Sequence, residues 1–223
     1  MESLHEFLLT TKANEYIIAI AFMIIFILFW RVLNAPRPYP IRETVAEASR
    51  ILSGVFSHPS HTWAEVVQPN LVNVGMDKFT SSVFGSIQKI ELPDLGERIL
   101  QGDNAWKIKR GERELAQSAP LSGRVVEVNK ELIENPSLLN KENPEKNWIL
   151  KIEPTRLARD LKNLLSGEML TRWNQTVKEQ LVASLVPTDY PVLQEGGEIK
   201  PDLGDDLTTQ QWEKVAKDFF NAG

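Results

Sequence analysis

Apolar residues follow three different rhythms along this chain, and each rhythm predicts a different kind of element. From Tyr16 to Trp30 the sequence YIIAIAFMIIFILFW carries no charge, and as a helix rising about 1.5 Å per residue it would span roughly 22 Å. Extension through Ala13 and Asn14 on one side and Arg31, Val32 and Leu33 on the other, with Arg31 snorkelling, reaches the roughly 30 Å of a hydrocarbon core. From Thr62 to Pro154 the pattern becomes short strand-like runs separated by Gly, Pro and Asn, as at Trp63 to Val67 and Leu71 to Val74 around Gln68-Pro69-Asn70. Ile87 to Leu92, Ala105 to Lys109, Glu112 to Gln117, Arg124 to Asn129 and Trp148 to Glu153 supply five more runs. After Pro154, Leu157, Leu161, Leu164, Leu165, Met169, Trp173, Val177, Leu181 and Leu185 recur at intervals of three or four, the spacing of an amphipathic helix with a break at Ser166-Gly167.

Between these blocks lie connecting segments. Three prolines in Ala35-Pro36-Arg37-Pro38-Tyr39-Pro40 exclude helix and predict a stiff spacer. Ile41, Val45, Ala48, Leu52, Val55 and Phe56 predict a short amphipathic helix over 41–56. Pro187 to Asp206 reads as a loop, and Thr208 to Phe220 as a helix capped by Thr208 or Thr209. Its apolar face, with Trp212, Phe219 and Phe220, is expected to dock on the domain or on a partner. The predicted organisation is an N-terminal segment and transmembrane helix at 1–34, a spacer and juxtamembrane helix at 35–57, a β domain at 58–154 and C-terminal helices at 155–223. The fold class is mainly β, of α+β type.

Composition narrows the chemistry. With 42% hydrophobic and 25% charged residues the chain can build a core. A formal net charge of -5, without a Lys/Arg run, argues against nucleic acid as a partner. Zero cysteines exclude disulfides, thiolate metal sites and cysteine-ligated clusters.

The flanks of the apolar run separate an anchor from a cleaved signal peptide. The first fifteen residues hold Lys12 against Glu2, Glu6 and Glu15, and Leu33-Asn34-Ala35 before a proline is a poor cleavage site. Both features favour an uncleaved anchor over a signal peptide or a buried soluble helix. Tyr16 and Trp30 fall near the two interfaces, beside Arg31. Arg31, Arg37 and Arg42 follow the run closely, so the positive-inside rule expects a single pass through the cell inner membrane at residues 13–33, with the C-terminal bulk in the cytoplasm.

The middle block also has a recognisable order of motifs. His61-Thr62-Trp63, Val74-Gly75-Met76-Asp77, Phe84-Gly85-Ser86-Ile87, Glu91-Leu92-Pro93-Asp94-Leu95-Gly96 and Ala119-Pro120-Leu121-Ser122-Gly123 follow one another, then Val125 to Asn129, Leu138-Leu139-Asn140 and Trp148 to Ile152. In this collinear series the chain resembles the glycine cleavage H-protein family. The resemblance implies a flattened β-barrel of lipoyl-domain type with flanking helices. It further implies a hairpin tip that displays a lipoyl-lysine, in E-S-V-K-A, eight residues before the proline of A-P-x-S-G. Counting eight back from Pro120 gives Glu112, within Lys109-Arg110-Gly111-Glu112-Arg113-Glu114. Lys107 and Lys109 are candidates displaced from that place, and Arg110-Gly111 is expected to form the tight turn.

No other constellation looks catalytic. His58 and His61 are three apart around Pro59, without a third ligand. Ser122 lacks the G-x-S-x-G context, and Glu195-Gly196-Gly197 lacks a following helix to make a phosphate cradle. The expected role is therefore a non-catalytic, cofactor-free accessory subunit of a membrane complex, of respiratory electron-transfer type, docking on integral membrane subunits through the hairpin tip Arg110, Gly111, Glu112 and Arg113. A lipoyl carrier modified at Lys107 or Lys109, and a periplasmic adaptor of membrane-fusion type, are the alternatives.

Overall fold

The computed structural model describes residues 2–34, 54–140, 147–185, 191–194 and 196–220 and divides into two compact units, Met1–Glu43 and Thr44–Gly223. The spacer expected over 35–40, the expected juxtamembrane helix up to residue 53, the start of the Pro187–Asp206 loop and Glu195 lie outside the described residues.

The described residues of the first unit form one helix, α1 (Glu2–Asn34), and its window Asn14–Arg31, of mean hydropathy 1.7, is long and apolar enough to cross a membrane. An α-helix suits that medium because every interior backbone group is paired within the segment. Phe22, Phe26 and Trp30, four apart, stack along one side with ring centroids 6.3 and 6.1 Å apart.

Among its described residues the second unit has nine strands in two antiparallel sheets. In chain order they are β1 (Val55–His58), β2 (Thr62–Gln68), β3 (Leu71–Met76), β4 (Lys89–Glu91), β5 (Arg98–Ile99), β6 (Asn104–Arg110), β7 (Arg113–Ser118), β8 (Gly123–Val128) and β9 (Leu150–Pro154). The larger sheet runs β1-β2-β3-β9-β8-β5 and the smaller β4-β6-β7. Alternation turns Val72, Val74, Val125, Leu150 and Ile152 of one sheet, and Ile90, Trp106, Ile108 and Leu115 of the other, into a shared core. This is the flattened, lipoyl-type β arrangement that the motifs imply.

Several elements depart from the sequence reading, among them the short strand β5, which no apolar run announces. Val55 and Phe56, expected at the end of a helix, begin β1, because Val55 pairs with Glu65 and Phe56 with Ala64 across an antiparallel ladder. Ser57 then exchanges backbone hydrogen bonds with Leu165, at 2.9 and 2.8 Å, which fastens the strand's other edge. Lys78–Phe84 forms a helix, α2, that no apolar periodicity announces. Asp77 caps it by accepting from the Thr80 N–H at 2.8 Å, and Gly85, at φ 81°, ends it.

The remaining helices are α3 (Lys130–Glu134), α4 (Leu157–Asp160), α5 (Gly167–Leu185), α6 (Leu203–Asp206) and α7 (Thr209–Phe220). Between α4 and α5 the chain breaks through a 3-10 turn, Leu161–Asn163, and Gly167 takes a positive φ of 56°. Thr208 caps α7, its hydroxyl accepting from the Gln211 N–H at 3.3 Å. The one-turn helix α6 lies inside the stretch read as loop; buried Leu203 opens it and buried Leu207 follows it.

Trp212 and Phe220, candidates for a partner, are buried in the domain's own core, and Phe219 packs against it. The rings explain this. Trp212 meets Phe84 edge-on at 5.3 Å, while Phe219 and Phe220 lie 5.3 and 5.9 Å from Phe79.

Candidate functional site

The site begins with a hairpin. Lys109 pairs with Glu114 and Arg110 with Arg113, so the loop between β6 and β7 is Gly111-Glu112. This corrects the expected Arg110-Gly111 turn by one residue: the arginines close the ladder, and Gly111 takes φ 53° at the first central position, as a type II′ turn needs. Glu112 is therefore at the tip and exposed, and among the described residues no hydrogen bond or ion pair engages its side chain. A carboxylate only accepts hydrogen bonds and has no amine, so the residue present does not fit an amide-linked lipoyl group.

Strand alternation gives the hairpin two different faces. Lys107, Lys109 and Glu114 share the outer face with Lys89 and Glu91 of β4. Lys109 reaches Glu114 at 2.9 Å and Glu91 at 3.1 Å, Lys107 reaches Glu114 at 2.6 Å, and Lys89 reaches Glu91 at 2.8 Å. Hydrogen bonds from Lys107 and Lys109 bring the Glu114 carboxyl down to about 2, and those to Glu114 and Glu91 raise the Lys109 ammonium. Both displaced candidates thus sit within strand β6 in a ladder of opposite charge, and the raised Lys109 keeps less of the neutral amine that acylation requires.

Arg110 and Arg113 fall on the inner face, in line with Ile108 and Leu115. Like charges placed opposite each other destabilise a ladder, and residues far along the chain compensate for it. Arg110 is ion-paired with Asp205. Arg113 donates to the carbonyls of Gly204 at 2.7 Å and Leu207 at 2.6 Å, and its guanidinium lies 5.5 Å from the Trp212 ring centre. Asp205 also accepts from the Ser86 N–H at 3.0 Å and the Ser86 hydroxyl at 2.8 Å. On the other flank the Gly111 N–H donates to Gln88 Oε1 at 3.0 Å.

Close backbone approach makes this junction possible. A Cβ on Gly204 would run into the backbone of Val83 and Phe84, and one on Gly85 would lie 2.7 Å from Arg110 Nη1. Sequence reasoning found Arg110, Gly111, Glu112 and Arg113 but not Ser86, Gln88, Gly204 or Asp205. Asp205 stands 95 residues from Arg110, and no local pattern marks it.

The other candidates are separated from this site. His61, 2% exposed and at φ 64°, stacks on Phe79 with ring centroids 4.1 Å apart and places Nδ1 2.8 Å from Asp77 Oδ2, whereas His58 Nδ1 lies 2.6 Å from the Ser60 hydroxyl. Ser122 is a turn serine: its Oγ accepts from the Gln101 N–H at 3.0 Å and its N–H donates to buried Asp160 at 2.6 Å. A groove of about 410 Å³ between α2 and α5 is lined by both signs of charge, Asp77 and Glu198 with Lys78 and Lys178.

One pH effect follows from Asp205. Burial alone would raise its carboxyl, but the Ser86 N–H and hydroxyl and the Arg110 guanidinium outweigh burial and hold it below its ordinary 3.8. A carboxyl depressed by folding adds stability above its unfolded pKa and loses it as pH falls through the folded one. Amide-exchange protection at 110–113, corrected for intrinsic rates, should stay level from neutral pH to about 4 and fall below it. Asp205→Asn should shrink that step and leave the part that Glu114 and Glu91, also held down by their lysines, contribute.

The family model described as glycine cleavage H-protein matches residues 56–179, more than half of the chain. A second family model, described only as a protein, matches residues 1–37. A relative from Thermococcus kodakarensis, described as "Probable glycine cleavage system H protein", is 34% identical over 119 residues, covering 53% of this chain and 88% of the relative. The glycine cleavage system H protein of Carboxydothermus hydrogenoformans is 38% identical over 108 residues, covering 48% and 82%. A crystal structure of a glycine cleavage system H protein from Mycobacterium marinum covers 55% of this chain and 94% of its own, at 20% identity and a TM-score of 0.46. Residues 203–207 lie beyond the matched stretch. The chain belongs to the glycine cleavage H-protein family.

Proposed function

We propose that this chain is a non-catalytic, membrane-anchored accessory subunit that uses an H-protein domain without a lipoyl acceptor as a docking body in a larger membrane complex. Glu112 at the hairpin tip carries the reading, since a carrier of this family needs an amine there and the nearest lysines are held in the ladder on the strand face. The apolar window Asn14–Arg31 supports the anchor, and Arg31, Arg37 and Arg42 support a cytoplasmic domain. Fixing a carrier domain beside one membrane site suits a scaffold rather than a shuttle between enzymes. A respiratory electron-transfer assembly is the class proposed, with every redox centre on the partners, because a chain without cysteine offers no thiolate ligand.

Intact-mass measurement on natively expressed protein should return the polypeptide mass with no lipoyl adduct. An adduct on Lys107 or Lys109 would favour the displaced-carrier alternative. In right-side-out vesicles, external protease should leave residues 60–223 intact; digestion there would favour the periplasmic adaptor. Native mass analysis in mild detergent should find the chain in stoichiometric association with multi-span subunits, and a chain that runs alone would sink the scaffold role.

A further inference from the structure

We propose that the basic stripe Arg156, Arg159 and Lys162, beside the edge of the larger sheet, docks on the acidic lipid headgroups of the bilayer that the chain's own anchor crosses. The inference rests on the anchor reading above and adds a second, reversible contact with the same membrane. The three cations recur at every third residue through α4 and the 3-10 turn after it, a spacing that returns to one side of such a helix. All three are exposed, whereas Leu161 and Leu164 are buried in the core. Among the described residues no hydrogen bond or ion pair engages the three charged groups.

Hydrogen bonds fasten this segment to the sheet edge. Gln101 Nε2 donates to the Asp160 carbonyl at 2.9 Å, Asn163 Nδ2 donates to Gln101 Oε1 at 2.7 Å, and the Thr155 N–H donates to the Ser122 carbonyl at 3.0 Å. Close to those bonds in sequence, Arg98 and Arg124 stand opposite each other across β5 and β8. Both are exposed, and neither is ion-paired among the described residues. Asp205 compensates the like charges of Arg110 on its own hairpin, but no acid does so for this second pair. Asp160 is buried on the Ser122 N–H, Glu97 accepts from the Asp94 N–H at 3.0 Å, Asp103 accepts from the Leu100 N–H at 3.1 Å, and Glu153 lies opposite Arg124 on β9. Against Glu97, Asp103 and Glu153, the five cations are a local surplus in a chain of net charge -5.

A lipid surface suits this pattern better than a matched protein face. Guanidinium groups bind phosphate oxygens in pairs, and headgroups can move to meet cations wherever these stand. The anchor holds the leaflet at high effective concentration, and an acidic leaflet attracts basic segments within a Debye length of its surface. Leu100, 52% exposed beside Gln101, adds an apolar side chain that the headgroups would cover.

The test places the full-length chain in nanodiscs of phosphatidylcholine alone or with about one-third phosphatidylglycerol, at about 0.05 M salt. A membrane-impermeant succinimidyl ester acylates exposed amines, and peptide mass analysis gives the rate at each lysine. Lys162 should react at least about five times more slowly in the acidic discs, while exposed Lys217 on α7 keeps one rate in both. Raising the salt to about 0.5 M should abolish the difference. Arg156→Glu with Arg159→Glu should also abolish it, and Arg156→Lys with Arg159→Lys should keep most of it; near-UV circular dichroism confirms the fold of each. Equal Lys162 rates in the two discs would overturn the inference, as would equal slowing at Lys217 or slowing that persists in the double glutamate variant. Inorganic phosphate added to neutral discs should leave Lys162 unchanged, and slowing by phosphate alone would overturn lipid as the occupant. Release of the chain from native membranes by alkaline carbonate would sink the anchor reading and this inference with it. A chain retained in the membrane with equal Lys162 rates would sink the inference alone.

Discussion

Trp212→Ala should lower the stability of the domain by about 3–5 kcal/mol, the cost of emptying a large aromatic site in a packed core. Trp212 is 5% exposed, meets Phe84 edge-on at 5.3 Å and shares the buried side of its helix with Val215, Ala216 and Phe220. The indole also faces Arg113, 5.5 Å from the ring centre, a contact of about 0.5–2 kcal/mol that the alanine variant loses as well. Because Arg113 flanks the hairpin turn, the same substitution should loosen the tip. Urea unfolding of the full chain in mild detergent, followed by near-UV circular dichroism, measures the first effect; amide exchange at 110–113 measures the second. Met169→Ala, at an exposed position, should stay within about 0.5 kcal/mol of the parent. A Trp212→Ala variant as stable as the Met169→Ala one would return Trp212 to the role of a free, partner-facing residue.

Hairpin-paired strands were legible wherever alternation and turn residues agreed, as in β2 and β3 around Pro69-Asn70 and in β6 and β7 around Gly111, whereas the order of strands across the two sheets was not. The hairpin tip came out within one residue for the same reason. The strand β1 was hidden because four residues give too little alternation to override the longer helical spacing before them. Helix α2 was hidden because Lys78-Phe79-Thr80-Ser81-Ser82-Val83-Phe84 is poor in helix-forming residues; it forms through the Asp77 cap and the burial of Val83 and Phe84.

For the C-terminal helix, the apolar face was legible but its occupant was not. Periodicity says that Trp212, Phe219 and Phe220 need cover, and only the packed structure shows that Phe79, Phe84 and His61 give it. Asp205 illustrates the same limit for charge: an acid in a Gly/Asp-rich stretch looks solvated until the chain brings it against Arg110 and Ser86.

Asp77→Ala should cost about 2–4 kcal/mol, because one carboxylate serves two elements. Oδ1 accepts from the Thr80 N–H at 2.8 Å and the Thr80 hydroxyl at 3.0 Å, and losing such a helix cap costs about 0.5–2 kcal/mol. Oδ2 lies 2.8 Å from Nδ1 of His61, whose ring is buried among Phe79, Trp173 and Phe220. Leaving that ring nitrogen without a partner adds about 1–3 kcal/mol. Asp77→Asn should cost less, since asparagine caps a helix as well as aspartate. The damage should also travel along α2 to its far end, where Gly85 and Ser86 meet Asp205. Amide exchange at 110–113 should therefore quicken in Asp77→Ala more than in Asp77→Asn. Unfolding midpoints equal to the parent's in both variants would show that the cap and the buried imidazole contribute nothing, and would leave α2 without a physical account.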